Sequence, residues 1–222
     1  MKKAVKRIGA VIVCLFAVII ITAAAALILN KRKTDRINND FSSIFSDTRY
    51  SKAVGVDSVD VIKQNISCGY AVIEMFSAWS GGSTTEETLY DEYGNVVTST
   101  GNSFCEEMNK QFPQYETVMH KYLTNTELID TVYNSLSKGI PVPVEWAALY
   151  EGEWTLHYSL ITKMDILNNK VTVANPYGYY EELTTDDFLS RTRYDAFEDM
   201  PLFLKLGFAF GIFEKNTIFT VE

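Results

Sequence analysis

Four residues whose side chains can together open an amide bond follow one another along this chain: Gln64, Cys68, His157 and Asn175. Residues 64–75 read QNISCGYAVIEM. Ala71, Val72, Met75, Phe76 and Trp79 recur at helical spacing, so the pattern predicts a helix that opens at Cys68. A thiol in a first turn meets unpaired backbone N–H groups and the positive end of the helix dipole, which favour its thiolate. Gly69 lets a substrate approach the backbone. A thiolate nucleophile needs a base, and the base needs a group to orient it. His157 stands just before an extended run that starts at Tyr158, and Asn175 follows the next such run. The side-chain N–H of Gln64, with the backbone N–H of Cys68, is the candidate donor pair for a developing oxyanion.

The other thiol and imidazole suit this chemistry less well. Cys105 falls in mid-helix beside Glu106 and Glu107, whose charge opposes a thiolate, and reads as structural. A Cys68–Cys105 bridge would abolish thiolate chemistry. His120, in TVMHKYL, has no orienting partner nearby and reads as a surface or half-buried helix residue. Two cysteines and two histidines, each far apart, make a poor zinc set, and the chemistry needs neither metal nor cofactor. The Asn65-Ile66-Ser67 glycosylation pattern sits inside the oxyanion loop and reads as chance.

The elements that must position these groups are helices first and strands after. Thr84–Glu87 and Thr124–Glu127 are capping-box patterns, and their helices are stopped by Gly94 and Gly139. Gly101-Asn102-Ser103 begins another helix, and Thr184–Asp187 a short one. Ile140–Leu149, Tyr158–Met164 and Lys170–Ala174 read as strands, the last two joined around Asp165–Asn169. A five-residue loop there sets Asn175 opposite His157. A tight turn at Asn168-Asn169 pairs His157 with Tyr180 instead. Residues 201–213, PLFLKLGFAFGIF, are too short to span a bilayer and read as core. The order predicts an α+β fold, with a helical part followed by an antiparallel sheet.

Charge divides the chain. Residues 1–36 carry eight of the 20 Lys and Arg and only Asp35 among the acids. That leaves 12 basic against 27 acidic residues, a net charge of about −15 that excludes a nucleic-acid partner. Residues 8–29 hold no charge over 22 positions, enough to cross a hydrocarbon core of about 30 Å. The run ends directly in Asn30-Lys31-Arg32-Lys33, which favours an uncleaved anchor over a signal peptide. The expected organisation is a basic tail and transmembrane anchor over 1–36, a polar tether over 37–55 and a domain over 56–222. A short N-terminal tail before a long domain places that domain outside the cell.

Together QNISCGYAVIEM, TSTGNSF (98–104), GIPVPVEW (139–146), LHYSLITKMD (156–165) and VTVANPYG (171–178) resemble the papain-like cysteine peptidases, most closely the double-glycine leader peptidases that process bacteriocins and their stand-alone membrane-anchored bacterial relatives. The resemblance covers roughly residues 60–190. It implies Cys68 as nucleophile, His157 as base and acid, Asn175 as orienter and Gln64 as oxyanion donor, acting on a peptide or protein. The four-residue spacing from Gln64 to Cys68 is shorter than the family pattern, and many relatives carry Asp where Asn175 stands. Two alternatives share this site: an inactive domain that binds a peptide or partner protein, and an amidase or transglutaminase-like acyl transfer.

Overall fold

A computed structural model describes residues 2–94 and 99–222, with side chains from Ile12 onward. Thr98, at the head of the 98–104 stretch, lies outside the described residues. In chain order the elements are α1 (Lys2–Ile37), β1 (Val54–Gly55), α2 (Cys68–Trp79), α3 (Glu86–Tyr93), α4 (Gly101–Gln111), β2 (Thr117–His120), α5 (Asn125–Ser137), β3 (Val142–Tyr150), β4 (Glu153–Asp165), β5 (Lys170–Asn175), β6 (Tyr179–Leu183), α6 (Thr185–Thr192), α7 (Leu202–Ala209) and β7 (Thr217–Val221). The α+β order is the one expected, with a helical part before an antiparallel sheet.

Local chemistry sets the helix starts. Ser67, Thr85, Thr100, Thr124 and Thr184 each cap a helix by accepting a backbone N–H, a contact worth about 1 kcal/mol. The sheet runs β2-β7-β3-β4-β5-β6, and β1 pairs with the far end of β4. One core lies between α5, α6 and sheet residues such as Val144, Trp146 and Val173. A second joins α2 and α4 to Tyr158, Leu160, Ala174 and Phe219, where Phe104 stacks on Tyr158 at 4.6 Å.

The β4–β5 hairpin departs from both expected geometries. Asp165 pairs with Lys170 across a four-residue loop. At Thr162 the ladder takes up an extra residue, so that Ile161 pairs with Val173 and Leu160 with Ala174. The bulge is held from both sides: Thr162 donates its hydroxyl to the Thr172 carbonyl at 3.3 Å and accepts the Val56 N–H at 2.8 Å. Gly55 passes so close that a Cβ there would sit 2.9 Å from the Thr162 carbonyl oxygen.

Two other expectations change. His120 is in strand β2, not a helix, and its Nε2 bonds the Thr220 hydroxyl across β7 at 2.8 Å. That strand exists because β7, about 100 residues later, supplies its partner. The stretch read as a tether is folded onto the domain. Ile37, Ile44 and Tyr50 are buried, and Asn125 donates to Asn38 Oδ1 at 3.0 Å and to the Asn39 carbonyl at 2.8 Å. Asn125 in turn accepts from Arg193 at 2.9 Å.

A carboxyl group interrupts the second core. Glu145 on β3 is fully buried, and Tyr158 donates to its Oε2 at 2.9 Å. Burial pushes this acid up to about 8, with Glu214 adding to the shift and the Tyr158 hydroxyl opposing it. The folded state therefore holds a proton that the unfolded chain releases between pH 4.5 and about 8, so Glu145 stabilises the fold at low pH and that stability is lost as pH rises. Thermal unfolding of Glu145→Gln should lack this fall. A melting temperature whose difference from wild type stays constant across that window would refute the assignment.

Candidate active site

Cys68 is the first residue of α2, directly after the cap Ser67, whose side chain accepts the Tyr70 N–H at 3.1 Å. The loop that delivers it is tied down. Glu86, the buried first residue of α3, accepts the Asn65 N–H at 2.7 Å and the Ser67 N–H at 3.2 Å. Its own N–H donates to Glu74 at 2.7 Å. The Gln64 N–H donates to the Pro176 carbonyl at 2.7 Å, stitching the loop to the turn that follows Asn175. The side-chain oxygen of Gln64 is buried, with no hydrogen-bond partner among the described residues.

β5 ends at Asn175, so its pairing with β4 stops at Leu160. Beyond that point β4 lacks a neighbour on this side. The backbone N–H groups of Tyr158, left free of the ladder, of Gly69 and of Cys68 itself favour the Cys68 thiolate. Tyr158 is the residue next to His157. The thiol thus fills the notch that β5 vacates.

The bulge at Thr162 decides which face Asn175 presents. With it, Asn175 falls opposite Ser159 and diagonal to His157, and both side chains lie on one side of the sheet. Without it, Asn175 would face Leu160 and point the other way. His157 Nε2 lies 3.0 Å from Asn175 Oδ1, and both residues are buried. The register also aims Tyr177 at His157, and their rings stack with centroids 4.2 Å apart.

The orientation of the Asn175 amide follows from its other partner. Its Nδ2 donates to Glu181 Oε2 at 2.9 Å, and a carboxylate can only accept. Glu181 is paired with Arg191 at 2.7 Å, and Arg191 lies over Trp146 at 5.0 Å. Asn175 Oδ1 is therefore the atom turned to His157. The histidine Nε2 carries the hydrogen, which leaves Nδ1 unprotonated. Glu181, Arg191 and Glu86 escaped the sequence reading because charged residues between strands and at helix starts look solvated. The signals available were the i+6 spacing of Glu181 from Asn175 across a tight turn and a capping pattern at Glu86.

Helix-start stabilisation of the Cys68 thiolate was the expectation, and burial outweighs it. The residue is partly exposed, but protein packs closely around the sulfur. That desolvation pushes the thiol from 9.0 to about 11 against the three N–H groups, and Glu145 adds to it. Burial likewise lowers His157 from 6.5 to about 4, opposed by the Asn175 bond. Both effects favour an uncharged thiol and an uncharged imidazole at rest; no hydrogen bond joins Cys68 to His157 among the described residues. All three cysteines are free. Cys105 donates to the Thr117 carbonyl at 3.4 Å inside the α4–β2 packing, and its thiol is raised by burial, with Glu106 contributing.

Residues 56–200, more than half of the chain, match the model of the Peptidase_C39 like family, and the chain belongs to that family. It is thus a peptidase by family. No curated protein matches it in sequence. Several solved structures are similar, among them the following two. One is a double glycine motif protease from an AMS/PCAT transporter in complex with the leader peptide, at 12% identity and a TM-score of 0.49, covering 75% of this chain and 93% of that one. The other is the peptidase domain of Streptococcus ComA, a bi-functional ABC transporter involved in a quorum-sensing pathway, at 16% identity and a TM-score of 0.49, covering 74% and 98%.

An uncharged resting pair has a direct signature. Iodoacetamide should alkylate Cys68 of the free protein ever faster as pH rises through the alkaline range, with a midpoint above that of an ordinary thiol near 8.5. A rate that is already flat between pH 5 and 7 would reveal a preformed ion pair and overturn this electrostatic reading.

Proposed function

We propose that this chain is a membrane-anchored cysteine peptidase that hydrolyses a peptide bond through a Cys68 thioester, with its domain outside the cell. The observation that carries the reading is the buried His157–Asn175 bond at 3.0 Å, which leaves Nδ1 unprotonated, in a fold that sets Cys68 at the start of α2. His157 takes the thiol proton as sulfur bonds to the carbonyl carbon. The oxyanion draws on the Cys68 N–H and the Gln64 side-chain amide, whose half-turn exchanges its unpartnered oxygen for a donor. The C–N bond then breaks, and the amine leaves with the proton from His157. Water attacks the thioester, His157 takes its proton, the S–C bond breaks, the acid departs and the proton on His157 returns to the Cys68 sulfur.

The polar chain behind the histidine fits this role. Asn175 lacks the charge of an Asp, and Glu181 supplies a carboxylate one bond further out. One described helix, the N-terminal one, is long and apolar enough to cross a membrane, which supports the anchor.

Quenched-fluorescence peptide libraries should be cut by the full chain in detergent and left intact by Cys68→Ala and His157→Ala. Intact mass spectra should trap an acyl group on Cys68. Cleavage that survives Cys68→Ala would sink the proposal. Tight peptide binding with neither cleavage nor acylation would assign the cleft to binding alone, and transfer of the acyl group to an added amine in preference to water would assign it to acyl exchange. Gln64→Ala should lower kcat about 10²-fold. Glu181→Gln, which can turn either end of its amide to Asn175, should lower kcat about tenfold with little change in KM. Equal kcat for wild type and Glu181→Gln would remove Glu181 from the mechanism.

A further inference from the structure

The segment after the family match divides its apolar residues between two sides. Leu204 and Phe208 are buried, with Phe208 packed on Tyr194 at 4.5 Å and on Phe213 at 5.6 Å. Leu202 (70% exposed), Phe203 (67%), Phe210 (55%) and Ile212 (53%) face outward. Core was the expectation for all of 201–213, and only one side meets it. The segment's own lysine does not break the outer face: Lys205 turns back to donate to the Glu198 carbonyl at 2.6 Å.

The neighbour of this segment is the end of α1. Phe208, Phe210 and Gly211 line one groove with Leu29, Arg32 and Arg36. Lys33, on the same rim, lies over Tyr122 at 4.6 Å. Asn30 and Ile37 are buried, so the helix meets the domain as a packed joint. With residues 8–29 filling a hydrocarbon core of about 30 Å, Leu29 to Arg36 rise through roughly the next 10 Å, which takes in the headgroup layer of about 5–8 Å. Whatever packs against those turns shares that depth.

We propose that residues 202–212 sit in the headgroup layer of the membrane that α1 crosses. Leu202, Phe203, Phe210 and Ile212 meet the upper acyl chains, and headgroup phosphates enter the groove beside Arg32 and Arg36. The geometry is that of an interfacial amphipathic element, apolar on one side and basic at the rim. It accounts for a basic cluster at the foot of an otherwise acidic domain that an anionic surface would repel. The inference rests on the anchor reading and is independent of the peptidase reading.

The test uses the full chain in vesicles of phosphatidylcholine and phosphatidylglycerol in equal parts, doped with brominated lipids that quench tryptophan by depth. Ile20→Trp reports the span, and Phe203→Trp reports the segment, each against wild type. The expected result is a loss of emission beyond wild type from bromines deep in the chains for Ile20→Trp, and from bromines close to the headgroup for Phe203→Trp. Quenching of Ile20→Trp alone would overturn the inference and leave the anchor standing. Quenching of neither would remove both. An unquenched Phe203→Trp that cross-links to a second copy would give the face to a dimer and equally overturn the proposal.

Discussion

One extra residue in one strand holds the site together. A β-ladder alternates its side chains with a period of two, so a slip of one residue exchanges the faces of everything beyond it. Thr162 is that residue, and its effect reaches outward along β4 and β5. It turns Asn175 to the side of His157, sets Tyr177 under the imidazole and lets β5 stop where Cys68 needs a gap. The bulge is specified by its surroundings, since its carbonyl is capped by Val56, its hydroxyl by Thr172, and only Gly55 allows so close a strand. Bulges beside functional sites commonly re-aim a side chain in this way.

Polar groups on two separate parts of the chain are then locked to each other. The loop before Cys68 is fastened by Glu86 on one side and by the Gln64–Pro176 bond on the other. The second bond joins the Cys68 loop to the turn after Asn175, so neither half of the candidate site shifts alone. Arg191, Glu181, Asn175 and His157 form a line in which each member dictates the orientation of the next. Desolvation works on the same groups and keeps thiol and imidazole uncharged at rest. Such a site separates charge only when a substrate gives the new charges something to bind.

What could be read from residue order was local. Helix starts were legible because Ser67, Thr100, Thr124 and Thr184 satisfy orphan N–H groups within their own turn. Gln64, Cys68, His157 and Asn175 could be named together from the sequence, and of these the fold joins His157 to Asn175 by a hydrogen bond. The register of the β4–β5 hairpin was not, because neither hydrophobic alternation nor loop length marks a bulge held by tertiary bonds. His120 was misread because its strand partner lies near the other end of the chain. Glu86, Glu181 and Arg191 looked like solvated charges until the fold surrounded them. The dipole at Cys68 was legible and the packing around its sulfur was not, and the packing is the larger effect.

The joint between α1 and the domain has a kinetic consequence. Ile37 is buried, Asn38 and Asn39 are gripped by Asn125, and Arg193 grips Asn125 in turn. A flexible leash would leave the domain tumbling, and each encounter would have to wait for a favourable attitude. A fixed stub removes that rotational freedom at folding. With α1 as the proposed anchor, the cleft then keeps one height and one heading above the bilayer.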